Sequence, residues 1–249
     1  MDVTNRFVLD FALRHGGRVL DYGCGAGALV EAGRKAGLDI VGADVFYGGS
    51  SARADAERAG LLNTSIFEIA KGRLPFPDSH FDVIVNNQVM EHVENLDATL
   101  AEIHRVLRPG GTVLSVFPSR DVWREGHIGI PFSHWFGTGS RLRLYYTWLL
   151  RSLGFGYWKE QAPTPRAWAE QKLAWIDGYT RYRSRAEIFA AYRRYFVNEF
   201  REPDYIRYRL RTNSRRAFLV RVMDVPGICR IGTAIFRKLA FLVIVSRKA

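Results

Sequence analysis

The chain has 249 residues, 47% of them apolar, enough to bury a full core as one α/β domain with insertions. Two cysteines, Cys24 and Cys229, exclude a disulfide framework, and no stretch reaches the ~18 apolar residues of a membrane span. The net charge of +11 is unevenly placed: residues 1–117 hold 11 Lys+Arg against 15 Asp+Glu, and residues 118–249 hold 25 against 10.

Along the chain, strands are predicted at Val19–Tyr22, Ile40–Val45, Ser65–Glu68, Val83–Asn86 and Thr112–Phe117, with helices near residues 26–36, 51–60 and 93–107. Such alternation predicts a parallel sheet covered by helices on both faces. Pro75/Pro77 and Pro109-Gly110-Gly111 mark the clearest turns. The alternation stops after Phe117. Residues 118–183 contain all six tryptophans and form a segment too long for a plain loop, so it is expected to carry structure of its own. Within it, Arg141–Leu153 is basic, aromatic and apolar at helical spacing. That suits an amphipathic helix covering a pocket, or one lying on a membrane surface. Ser184-Arg-Ala-Glu187 reads as a capping box opening a helix to about Tyr195. A strand at Phe196–Phe200, an Arg-rich helical segment at 204–222 and a buried strand at Ala240–Val245 complete the chain. The division is therefore a core over 1–117, an insertion over 118–183, and a return to the sheet over 184–249 with an Arg-rich helical insertion near 204–239.

The chemistry concentrates where the first strand ends. Asp21 precedes a Gly-x-Gly-x-Gly loop at Gly23, Gly25 and Gly27, and a helix follows. Glycines let the backbone turn sharply and approach a ligand closely. A carboxylate just before the loop repels a pyrophosphate and favours a cationic or amine-bearing ligand. Asp44, ~20 residues past the first glycine, also fits a dinucleotide fingerprint, but Ala28 stands at that fingerprint's sixth position and Asp21 opposes phosphate.

Three ordered segments, VLDYGCGAG (19–27), LPFPDSHFDVIVNNQVMEHV (74–93) and EIHRVLRPGGTVLSVFP (102–118), together with the strand end at Asp44, resemble the class I S-adenosylmethionine (SAM) dependent methyltransferases, type-11 subgroup. The resemblance covers residues 18–118 firmly. It implies a Rossmann-like seven-stranded sheet, mostly parallel with the last strand antiparallel, and SAM as cofactor. It implies that Asp21 and Gly23–Gly27 hold the methionine part and that Asp44 holds the ribose. Val45 and Phe46 would flank the adenine, Asn86 and Asn87 would face the amine or the reacting centre, and Gln88 to His92 would form the floor. Family members often carry an acidic residue four positions before Leu-Pro-Phe; that position is Ala70 here, and Glu68 is the nearest carboxylate.

Three histidines are candidate catalytic residues. His92 is a general base for a hydroxyl acceptor or a residue closing the pocket. His127 and His134 lie in a stretch with Arg124, Glu125 and two tryptophans directly after the fifth strand. No nearby Cys/Asp/Glu pattern completes a ligand set, so no metal is expected. The basic, Trp-rich second half fits a small-molecule, sugar or lipid-linked acceptor, anionic or amphiphilic, methylated at a hydroxyl. An RNA acceptor and a non-enzymatic SAM-fold interaction module are the alternatives. The expected location is cytoplasmic, with peripheral contact at the inner membrane surface as an option that the basic half leaves open.

Overall fold

Short apolar strands separated by amphipathic helices collapse into a two-sided sheet. The computed structural model describes residues 1–48, 50–212 and 214–249. The strands are β1 (Arg18–Tyr22), β2 (Asp39–Asp44), β3 (Ile66–Glu68), β4 (Phe81–Asn87), β5 (Leu107–Phe117), β6 (Val197–Phe200) and β7 (Leu242–Arg247). They form one seven-stranded sheet in the order β3-β2-β1-β4-β5-β7-β6. β1 to β5 pair in parallel, and β7 runs antiparallel to both β5 and β6. The order reverses between β1 and β4, where an open α/β sheet leaves a crevice at the carboxyl ends of its strands.

The helices are α1 (Val3–His15), α2 (Ala28–Lys35), α3 (Ala52–Arg58), α4 (Leu96–Val106), α5 (Arg141–Ser152), α6 (Pro165–Tyr179), α7 (Arg185–Tyr192), α8 (Glu202–Arg211), α9 (Leu219–Val222) and α10 (Pro226–Leu239). One face of the sheet packs on Leu100 and Ile103 of α4 and on Ile188 and Tyr192 of α7. The other packs on Phe7, Val8 and Phe11 of α1 and on Tyr205 of α8. Asn95 caps α4, its side chain accepting from the Ala98 N–H at 3.0 Å, and Ser184 with Glu187 makes the expected capping box on α7. Each cap satisfies N–H groups that the first helical turn leaves without partners.

Four boundaries differ from expectation. α1 has no strong sequence signal, because its buried residues are interleaved with Thr4, Asn5, Arg6 and Asp10. Pro109-Gly110-Gly111 is not a free turn. It lies inside β5, where the register jumps from Phe81–Leu107 to Val83–Thr112 and the Gly110 N–H donates to the Lys248 carbonyl at 2.9 Å. The 204–222 segment resolves into α8 and α9, with Asn213 outside the described residues, and α10 follows as a separate helix. The last strand is shifted to Leu242–Arg247, because its partners on β5 run from Phe117 back to Thr112.

Residues 118–183 carry α5 and α6, which close over a small core of their own: Ile128, Ile130, Trp168, Leu173 and Ile176. Trp168 is fully buried, and its indole N–H donates to the carbonyls of Tyr157 and Trp158, both at 3.1 Å. A buried indole needs such a partner. Arg183 ties this segment to the sheet, donating to the carbonyls of Val93 and Glu94 at 2.8 and 2.7 Å.

The α8–α10 block depends on one buried ion pair. Arg237 grips Glu202 through two parallel hydrogen bonds of 2.9 Å, and Glu202 has no exposed surface. Arg237→Ala leaves that carboxylate buried without a counter-charge. The expected loss is ~3 kcal/mol, the low end for breaking a buried pair, because the guanidinium is 22% exposed. Urea unfolding checks it, and Glu202→Gln in the Arg237→Ala background is expected to recover part of the loss.

Candidate active site

The crevice at the strand-order reversal is a cleft of about 640 Å³. The end of β1 supplies Tyr22, Gly23 and Gly25, and the end of β2 supplies Asp44 and Val45. Gln88, Val89 and His92 follow β4, and Asn95, Ala98 and Thr99 come from the start of α4. Tyr47, Ile69 and Lys71 complete the rim.

Asp44 organises this wall. One carboxylate oxygen accepts the Gly25 N–H at 2.8 Å and the other accepts the Phe46 N–H at 2.8 Å. The carboxylate thus holds the glycine loop against the end of β2. Gly23 has φ +77°, and a Cβ there would lie 2.4 Å from a Val89 methyl, so only glycine lets β1 turn under the segment after β4. Gly25 has φ +54°, and a Cβ there would meet nothing within 4 Å. Bare backbone faces open space, a cradle that a side chain would fill.

Asp21 is 5% exposed and is not on the cleft lining. Side chains alternate across a strand, so Asp21 points to the face opposite Tyr22. Burial, with the charge of Asp44 adding to it, pushes the Asp21 carboxyl up to about 7. Two acidic groups thus stand close together at the ends of β1 and β2.

Beyond His92 the cleft meets a polar cluster built with the inserted segment. His92 Nδ1–H donates to the Tyr179 carbonyl at 2.7 Å. His127 Nδ1 lies 2.7 Å from a Glu125 carboxylate oxygen and 3.0 Å from the Tyr182 hydroxyl, and that hydroxyl also donates to Glu125. The second Glu125 oxygen accepts the Ile128 N–H at 2.6 Å. Burial works to raise the Glu125 carboxyl, but His127, Tyr182 and this N–H hold it below its ordinary value. Burial opposes charge on His127, yet the Glu125 hydrogen bond and charge bring its net shift upward. His92 is shifted down, chiefly by burial. Glu91 is 2% exposed, both its oxygens lack a hydrogen-bond partner, and burial pushes its carboxyl up to about 8. The rings of Tyr47, Trp175 and Tyr179 border the cluster, Tyr47 5.2 Å from Tyr179 and His127 5.2 Å from Trp175, centroid to centroid.

The structure therefore gathers Gly23, Gly25, Asp44, Val45 and His92 at one cleft, with His127 behind His92 at 5.1 Å between ring centroids. Other expected site residues lie elsewhere. Gly27 starts α2 and packs toward Ile66, and Phe46 joins the Val30–Ala56–Ile66 cluster. Glu68 ion-pairs with Arg53 outside the cleft lining. Asn86 is buried against Ser115 at 2.9 Å, and Asn87 donates to Asn5 of α1 at 2.8 Å. Alternation puts the two on opposite faces of β4, Asn86 against Ser115 and Asn87 against α1, and neither lines the cleft, whereas Gln88, with φ +58°, does. His134 sits across Tyr182, in a second cleft with Arg120, Arg181 and Arg183. Burial lowers its pKa.

Sequence spacing gave no metal ligand set, yet the fold brings Glu91, His92 and His127 together, with one ligand-capable atom of each within 4.8 Å of the others. In sequence Glu91 falls within the Gln88–His92 floor that the resemblance implies, with no role of its own. Tyr179, Tyr182 and Trp175 gave no local signal, because they arrive from some 80 residues downstream of His92.

Residues 20–115 match the family described as "Methyltransferase domain". Among curated relatives, the demethylmenaquinone methyltransferase of Symbiobacterium thermophilum is 31% identical over 166 residues, 59% of this chain and 65% of the relative. The ubiquinone biosynthesis O-methyltransferase of Cereibacter sphaeroides is 38% identical over 102 residues, 39% of each chain. The chain thus spans less than two thirds of the length of these relatives. A SAM-dependent methyltransferase structure from Mesorhizobium loti has the same fold, with a TM-score of 0.58 at 18% identity, covering 99% of this chain and 98% of that one.

The buried Asp21 predicts a stability signature. Its folded-state pKa is raised, so the folded protein holds its proton more tightly than the unfolded chain does. Stability then falls as pH rises from about 4 to about 7, and the deficit persists above. Asp21→Asn is expected to raise the thermal midpoint at pH 8 by several degrees and to leave it nearly unchanged at pH 4. A midpoint lowered at pH 8 would mean that the native carboxylate is well satisfied there.

Proposed function

Since residues 20–115 belong to the methyltransferase-domain family, we propose that the whole chain is a SAM-dependent methyltransferase acting on a hydroxyl oxygen of a small-molecule acceptor. The observation that carries this reading is the Asp44 carboxylate holding an open glycine loop at the mouth of a 640 Å³ cleft. The donor set suits the cofactor. Each Asp44 oxygen spends one lone pair on a backbone N–H and keeps another for a ribose hydroxyl. Val45 and Ile69 offer apolar walls to an adenine, and the field of Asp21 and Asp44 favours a cation. When bound, SAM supplies a methyl group on a sulfonium, and the sulfur keeps the electron pair as the methyl leaves.

The remaining work falls to the acceptor side. Tyr47, Trp175 and Tyr179 form a partly open aromatic wall beside His92, suited to a flat hydroxylated ring. The relatives' names refer to quinone compounds, which supports a ring acceptor over RNA. The Arg120, Arg181 and Arg183 cleft across Tyr182 suits an anionic or amphiphilic extension of that acceptor. Glu125 holds His127 through Nδ1, so Nε2 carries the lone pair that takes the hydroxyl proton as the oxygen–methyl bond forms. Positioning supplies the rest, because in-line displacement gains most from holding the reacting atoms close.

Calorimetry with S-adenosylhomocysteine tests the cofactor half. One site per chain is expected. Asp44→Ala is expected to weaken binding by about 1.5–3 kcal/mol, the range for hydrogen bonds to a charged group. Absence of binding by a folded wild-type chain would remove the enzymatic reading. Cofactor binding without methylation of any phenolic or enolic acceptor would favour an interaction module instead.

A further inference from the structure

We propose that Glu91, His92 and His127 form a binding site for one divalent first-row transition-metal ion at the acceptor end of the cleft. The proposal deepens the methyltransferase reading and rests on it for the identity of the neighbouring ligand.

Three independent features of the cluster point to a cation. The first is convergence: one ligand-capable atom from each residue lies within 4.8 Å of the other two. Rotamer-scale movement would bring them to the ~2.0–2.2 Å of metal–nitrogen and metal–oxygen bonds.

The second is the state of the two rings. A carbonyl oxygen only accepts, so the 2.7 Å contact between His92 Nδ1 and the Tyr179 carbonyl fixes a proton on Nδ1. An ionised carboxylate also only accepts, so Glu125 fixes the same tautomer on His127. Both rings then present the lone pair of Nε2. A histidine that donates its other N–H to a carbonyl or a carboxylate is the usual support of a metal ligand, because the outer bond sets the tautomer and the ring plane.

The third is Glu91. It is 2% exposed and neither oxygen has a hydrogen-bond partner among the described residues, although a buried carboxylate is costly without one. No arginine or lysine ion-pairs with it among the described residues. A bound cation would supply the missing partner.

Two imidazole nitrogens and one carboxylate suit zinc, cobalt, manganese or iron(II) rather than magnesium or calcium, which favour all-oxygen sites. Three protein ligands leave at least one coordination position open, and His92 borders the cleft, so the open position belongs to the acceptor. In the loaded protein His127 is a ligand and not a base. The acceptor hydroxyl loses its proton to solvent after binding the cation, and the resulting oxygen anion forms the new bond to the methyl carbon. The substrate class is thereby narrowed to hydroxyl compounds able to coordinate a metal.

The test is titration of the chelator-treated full chain with Co²⁺, followed by visible absorption, and with Zn²⁺, followed by calorimetry. One ion per chain is expected at micromolar affinity or better. His127→Ala and Glu91→Gln are each expected to weaken it at least 100-fold, and His15→Ala, at the far end of α1, is expected to leave it unchanged. S-adenosylhomocysteine binding serves as the folding check in every variant. A chain that binds S-adenosylhomocysteine but neither ion overturns the metal site and leaves His127 as the base. Ion binding that survives His127→Ala overturns it as well. Ion binding without S-adenosylhomocysteine binding upholds the site and removes the methyltransferase reading instead.

Discussion

Two hydrogen bonds from Asp44 hold the cleft together. The Gly25 N–H comes from the loop after β1 and the Phe46 N–H from the segment after β2, and a single carboxylate takes both. Charge-assisted bonds of this kind are about twice as strong as neutral ones. They fix the glycine loop at the height of β2, and that height decides where a ligand can touch backbone. Gly23 then has to pass under Val89, which sets the segment after β4 against the same loop. Asp44 thus joins the first two of three segments distant in sequence, and the missing side chain of Gly23 lets in the third.

The sheet and the insertion divide the work. Parallel central strands, buried on both faces, give a rigid frame on which a strand end can be placed accurately. The end of the cleft at His92 instead depends on polar contacts between the frame and residues 118–183. Arg183 holds the carbonyls of Val93 and Glu94, and the Tyr179 carbonyl holds the His92 ring. Such contacts are strong when fully made and costly when half made, since a buried donor or acceptor without its partner pays the full loss of hydration. Glu91 is the half-made contact in this set, and it stands where the two parts meet.

How much of this was readable depended on distance along the chain. The strand–loop–helix opening, the strand end at Asp44 and the capping box at Ser184 are local patterns, and the seven-strand arrangement followed from them. Gly23, Gly25, Val45 and His92 reach the cleft because each lies within a few residues of a strand end. Which expected residues stay off the cleft lining was set mainly by the pleat. Asn86 and Asn87 precede the turn at Gln88, and Asp21 precedes Tyr22; a shift of one residue sends a side chain to the other face. Glu68 was drawn off by Arg53, an ion pair that no spacing rule exposes. Tyr179, Tyr182 and Trp175 were invisible as site residues, because only the folding of α6 over the sheet brings them to His92.

The unmatched part of the chain is therefore the part that gives it individuality. The family match ends at residue 115, within β5. The cleft lining, from Tyr22 to Thr99, lies before that point. Glu125, His127 and Tyr182, with the aromatic wall of Trp175 and Tyr179, lie after it. Two buried carboxyl groups, Asp21 in β1 and Glu91 after β4, are pushed up by their surroundings, and both lie within the matched residues. Each costs the folded state stability as it ionises, which a fold tolerates at a place meant to receive positive charge. Asp21 sits within β1, behind the cleft lining. Glu91 lies where His92 meets His127 of the 118–183 segment, and in the proposed function whatever ion or proton satisfies it there governs how the acceptor oxygen is presented.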